Sequence, residues 1–164
     1  MTRSSKDQGH WGGLKVEPKK FFGFVYLITH KETGRKYVGK KQLWVADGKH
    51  RFRPTHIQSD KWNWGHWKES NWKTYTGSST ELNKDIRSFG KDAFIFEILG
   101  LYSSKGDLHY AEVEEQVFRD VLRASLPDGK REYYNKSIAN IRFIPPGTHS
   151  ITKKTRRRSR APCH

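Results

Sequence analysis

Residues 23–41 read GFVYLITHKETGRKYVGKK. The run FFGFVYLIT, residues 21–29, is dense in strand formers. HKETGRK carries the Thr33-Gly34 pair and reads as a turn. KYVG, residues 36–39, returns as a second short strand, so the stretch predicts an antiparallel hairpin. A hairpin brings side chains of neighbouring strands to one face. Tyr26 and Tyr37, one per strand, are therefore candidates for one site, with Lys40 and Lys41 directly after. The plain alternative is that both rings pack in the core with their hydroxyls at its rim. An unperturbed phenol, with a pKa of about 10, is a poor base.

Working outward, YTGSSTELNKDIRSFG, residues 75–90, predicts a helix. Ser78 and Glu81 have the spacing of a capping box, Leu82, Ile86 and Phe89 recur at helical spacing, and Gly90 ends it. AFIFEIL, residues 93–99, reads as a strand. DLHYAEVEEQVFRDVL, residues 107–122, reads as a second helix that ends before Pro127. EYYNKSIANIRF, residues 132–143, reads as a short, partly extended segment.

Residues 42–72 hold Trp44, Trp62, Trp64, Trp67 and Trp72 with His50, His56, His66, Arg51 and Arg53. No helix or strand period survives there. So many tryptophans argue against disorder, so an ordered insertion is expected. The three histidines fit no common zinc spacing. Residues 1–20 are polar, without period, and read as a loose arm.

The chain has 164 residues, a net charge of +15 and only 34% apolar residues. Charge of that size points to a polyanion, and 13% aromatics suit stacking on bases while Lys and Arg hold phosphates. TKKTRRRSR, residues 152–160, carries six of the positive charges, on Lys153, Lys154, Arg156, Arg157, Arg158 and Arg160. Subtracting these six from +15 leaves +9, so the body is basic by itself. The tail is expected to grip phosphate without regard to sequence. No apolar run is long enough to cross a membrane, and the first residues do not read as a secretory signal. Cys163 is the only cysteine, so no internal disulfide forms.

The ordered set of strand, turn, strand, helix, strand, helix and late asparagine resembles the GIY-YIG nuclease family, in its phage-type, homing-endonuclease-like branch. Phe24-Val25-Tyr26 stands where the family has Gly-Ile-Tyr, and Tyr37-Val38-Gly39 where it has Tyr-Ile-Gly. YVGKK, NWKTYTGSS and YYNKSI are similar to the phage-type branch. The resemblance implies an α+β domain over residues 21–143: a small three-stranded antiparallel sheet flanked by helices. Residues 42–72 would be an insertion, and residues 144–164 a basic tail. It implies cleavage of DNA phosphodiesters, by nicking or double-strand cutting, with one divalent metal ion, Mg²⁺ or Mn²⁺. Such hydrolysis needs an activated water and charge neutralisation on the phosphate. A hard cation keeps several waters, so one carboxylate can hold it.

On that resemblance Tyr37 lies next to the nucleophilic water as base or positioner, Tyr26 faces the same site, and Asn135 supports it. The metal carboxylate is open between two glutamates. Helical periodicity puts Tyr110, Val113, Val117 and Val121 on one apolar side, with Glu114 inside that arc and Glu112 outside it. YAEVEEQ instead matches the branch with its glutamate at Glu112 and its glutamine at Gln116. The family arginine that clamps phosphate has no counterpart. Lys40 or Lys41 is expected to replace it, with Arg51, Arg53 and Lys73 in reserve. Ser79 is a further candidate for phosphate, whereas capping accounts for Ser78. The expected setting is the cytoplasm, of a host cell if the gene is phage-borne. Double-strand cutting would need a homodimer or two encounters. The competing reading is a noncatalytic nucleic-acid-binding protein.

Overall fold

The computed structural model describes residues 8–50 and 54–139. Arg51, Arg53 and the six tail cations lie outside the described residues. Strand β2 (Gly23–His30) and strand β3 (Lys36–Gln42) form the expected hairpin, with Tyr26 opposite Gly39 and Ile28 opposite Tyr37. Gly34 takes a positive φ of 75° in the turn. The second strand runs three residues past the predicted KYVG, so Lys40 and Lys41 both belong to it. Strand β6 (Phe94–Tyr102) pairs antiparallel with the other side of β2.

The sheet has four strands rather than the expected three, because one more strand joins β6 on the side away from β2. The additional strand, β1 (Gly12–Gly13), runs parallel to β6 and comes from residues expected to form a loose arm. Residues 8–20 are instead anchored to the sheet by three buried side chains, Gln8, Trp11 and Val16. Trp11 is 3% exposed, with its ring against Phe24, Tyr26 and Phe96, and its Nε1 donates to the Trp72 carbonyl at 2.7 Å. Gln8 locks the segment: its Nε2 donates to the Trp11 carbonyl at 2.8 Å and its Oε1 accepts from Val16 N at 3.2 Å. A polar composition hid this because one large ring supplies most of the burial.

Helix α1 (Thr80–Phe89) covers one face of the sheet, where Phe24, Ile28, Phe96 and Ile98 meet Leu82 and Ile86. Helix α2 (Lys105–Phe118) covers the other, where Val25, Leu27 and Val38 meet Leu108 and Ala111. The period of two along β2 serves both layers. The cap of α1 is Ser79, not Ser78: its Oγ accepts from Leu82 N at 3.3 Å. Helix α2 starts at Lys105 behind a Ser104 cap, two residues before the predicted start, and ends at Phe118, four before the predicted end. Asp120, at φ 51°, turns the chain there, and Val121 and Leu122 pack from the turn instead.

The insertion folds upon itself. Strand β4 (Trp44–Ala46) pairs with strand β5 (Trp67–Glu69) as a separate two-stranded sheet. Trp62 stacks on Trp67 at 4.5 Å between centroids, and both rings meet the edge of Phe22. Strands of three residues leave no readable period, which is why the stretch looked irregular. Among the described residues no helix is long and apolar enough to cross a membrane.

Candidate active site

β3 is an edge strand, and side chains from both its faces converge along that edge. On the α1 side, Tyr26 and Tyr37 stand 6.1 Å apart between ring centroids. Tyr26 is 1% exposed, and Tyr75 meets it edge-on at 6.3 Å. The Tyr37 hydroxyl shares a hydrogen bond of 2.9 Å with Ser78 Oγ. Two glycines allow this approach. A Cβ at Gly39 would overlap the Tyr26 hydroxyl and come within 3.0 Å of Tyr37 Cε1. Gly77, at φ 88°, lets the Ser78 loop close over both rings.

Burial pushes the Tyr26 phenol well above its ordinary value, and Tyr37 beside it adds to the shift. Tyr37 is also raised, first by burial, although the Ser78 hydrogen bond opposes this. The Glu112 carboxylate raises both phenols, so it lies within their electrostatic reach. At neutral pH both tyrosines are uncharged hydrogen-bonding groups, not phenolates.

On the α2 side, Lys40 Nζ meets Glu112 Oε2 at 2.5 Å and His109 Nδ1 at 2.8 Å. The Glu112 side chain is 17% exposed. Gln116, one turn on, is buried, and its Nε2 donates to the Val38 carbonyl at 3.3 Å and reaches Glu112 Oε1 at 3.5 Å. Its Oε1 is buried with no hydrogen-bond partner. Asn135 completes the edge like a short strand: its Oδ1 accepts from Val38 N at 3.0 Å and its Nδ2 donates to Val38 O at 2.7 Å. The backbone leads into this contact, since Lys36 N bonds Glu132 O and Tyr134 N bonds Lys36 O, each at 2.8 Å.

Glu112 thus faces the tyrosine edge, and Glu114 does not. Glu114 is exposed, acts on Tyr102 together with Glu115, and lines a cleft with Tyr102, Asp107 and Tyr110. Within the helix the apolar arc read from periodicity points largely outward: Tyr110 is 72% and Val117 61% exposed, Val113 is half-buried, and only Val121, past the helix end, is buried. The buried stripe of α2 is Leu108, Ala111 and Gln116, flanked by Glu112. Strand parity divides the two lysines. Lys40 joins Glu112, whereas Lys41 Nζ lies 4.1 Å above the Tyr75 ring and donates to Asn71 Oδ1 at 2.8 Å. Burial lowers the Lys41 pKa. Lys73 lies over Trp72 with its Nζ 5.5 Å from the ring. Ser79 Oγ is engaged by the helix cap, so Ser78 is the serine that meets the tyrosines. The sequence reading passed over His109 and Tyr75. His109, Glu112 and Gln116 fall at i, i+3 and i+7, one face of a helix, and that spacing was the available signal.

A family model described as "Putative endonuclease segE, GIY-YIG domain" matches residues 10–138. The chain belongs to this family of phage-type GIY-YIG endonucleases. The match begins just before Trp11, so it takes in the packed N-terminal segment as well as both tyrosines and Asn135. No curated protein and no solved structure matches the chain.

Proposed function

We propose that this protein is a divalent-metal-dependent endonuclease that hydrolyses DNA phosphodiesters, with its active site at the β3 edge. The observation that carries the reading is the convergence of Tyr26, Tyr37, Ser78, Lys40 and Glu112 on that edge. The donors present fit Mg²⁺ or Mn²⁺. They are oxygens: the Glu112 carboxylate and the orphaned Gln116 Oε1. No group of three or more His, Cys, Asp or Glu gathers among the described residues. A hard cation held by one carboxylate keeps most of its waters and gains further oxygens from phosphate. Bound there, the ion supplies positive charge to the phosphate and acidifies a water.

The chain's own residues supply the rest. Neutral Tyr37, oriented by Ser78, holds the attacking water by hydrogen bonding. Tyr26 fixes the Tyr37 ring from below. Lys40 and Lys41 flank the edge on its two faces and neutralise phosphate as point charges. Asn135 holds β3 straight at Val38. Lys73, Arg51, Arg53 and the tail cations extend the grip along the DNA backbone. One site cuts one strand, so nicking is the basic reaction and double-strand cutting takes two copies or two encounters. The phage-type branch fits a role in homing or attack on a competing genome, in the cytoplasm of a host cell.

The test is incubation of the full chain with supercoiled plasmid in Mg²⁺ or EDTA. Wild type is expected to nick in Mg²⁺ alone. Tyr37→Phe and Glu112→Ala are expected to lose about 100-fold or more, the scale of a positioned proton-handling group. Glu114→Ala is expected to keep its activity. A wild type that retards the plasmid on a gel and never cuts it would establish a noncatalytic binding protein instead.

A further inference from the structure

We propose that Lys40 is a resident counterion of the metal carboxylate, and that His109 is the second seat that receives its ammonium when the ion takes Glu112. The inference rests on the metal reading of Glu112 above. One ammonium has two acceptors here: Glu112 Oε2 at 2.5 Å and His109 Nδ1 at 2.8 Å. Lysine has donors only, so the imidazole Nδ1 accepts. The two acceptors are 4.0 Å apart, a short move for a flexible side chain whose Cα is fixed in β3.

The pair answers a physical need. A carboxylate as sheltered as that of Glu112 is costly to leave uncompensated, and Lys40 compensates it. A divalent cation at Oε2 and the ammonium now bonded there would repel each other at contact distance, even with water nearby. On this proposal the ion takes Oε2 and that repulsion moves Lys40 off it. Without His109 the displaced ammonium would lose the second acceptor it has here and would compete for Glu112 throughout. With His109 it stays at the site, on a side chain that is 54% exposed and open to an arriving phosphate. His109 is thus a positioning residue that acts through Lys40.

The experiment is calorimetric titration of Mn²⁺ into the full chain without DNA, with thermal melts to verify that each variant is folded. Lys40→Met is expected to bind Mn²⁺ about fivefold more tightly, the size of one partly exposed ion pair removed from competition. His109→Leu is expected to bind it about threefold more weakly, a fraction of that same pair. His109→Asn, whose Oδ1 falls near the place of Nδ1, is expected to restore the affinity. In the Lys40→Met background His109→Leu is expected to change nothing. A His109→Leu loss that persists there would overturn the proposal, since the imidazole would then touch the ion directly. Unchanged or weaker binding by Lys40→Met would overturn it as well. Glu112→Gln separates the two readings: if it binds Mn²⁺ as wild type does, the ion lies elsewhere and the metal reading itself fails. If it abolishes binding while Lys40→Met has no effect, only the counterion proposal fails.

Discussion

At Gly39 a single hydrogen stands where any side chain would strike the Tyr26 hydroxyl. Gly39→Ala must push that ring out of a core in which Tyr26 is 1% exposed. The expected cost is about 1–3 kcal/mol, as for overpacking elsewhere, with plasmid nicking lost alongside. Urea unfolding and the nicking assay check both. The phenols also set an alkaline limit. Tyr26 and Tyr37 are raised in the folded state, so the fold binds their protons more tightly than the unfolded chain does. Below the unfolded value of 10.0 this stabilisation is complete, and it is lost as pH rises beyond that towards the folded values. Melting temperature is expected to fall above that pH, less steeply in Tyr37→Phe. His10 acts in the opposite direction. Burial against Trp11 and Phe96 lowers it from 6.5 to about 4 while its Nε2 meets the Tyr75 carbonyl at 2.9 Å. Its stabilisation is present above 6.5 and fades as pH falls towards 4. His10→Gln, which keeps a donor but cannot titrate, is expected to flatten the melting profile over that interval.

At the scale of elements, two short pieces complete the domain. β1 is two residues long, so its two backbone positions on β6 count for less than the tryptophan beside it. Trp11→Ala is expected to destabilise the fold by about 3–5 kcal/mol, the range for a buried large aromatic, and to loosen the tyrosine edge that its ring supports. Denaturant midpoints and near-ultraviolet circular dichroism report the two effects. At the other edge of the sheet, Asn135 does for Val38 what a neighbouring strand would do. Asn135→Leu leaves one donor and one acceptor of Val38 without this side chain and is expected to cost about 1–3 kcal/mol. The Gln116 contact to the same carbonyl softens that loss.

Over the whole molecule, 32 Lys and Arg against 17 Asp and Glu leave a net charge of +15, which attracts polyanions at long range. The tail residues 152–160 supply six of those cations. Removing them is expected to reduce the slope of log binding constant against log salt by about 5 at most, since each neutralised phosphate contributes about 0.9. Fluorescence anisotropy with a duplex at several salt concentrations measures this. Cleavage at low salt is expected to survive, because the tyrosine edge remains.

Local signals were legible where neighbours in sequence create them. The hairpin follows from strand formers around Thr33-Gly34, and α1 from a strong amphipathic period closed by Gly90. The order of the main elements, the tyrosine pair and the excess of positive charge came from the chain alone, because periodicity, turns and charge are properties of nearby residues. The rest depended on distant contacts. Trp11 earns its burial from three rings on β2 and β6. Glu112 turns inward because Leu108, Ala111 and Gln116 dock on β2 and β3, which leaves Tyr110, Val117 and Phe118 outside despite their apolarity. A helix's own pattern cannot say which of its stripes the sheet will accept. Only the packed sheet decided that, and with it which carboxylate reached the tyrosines.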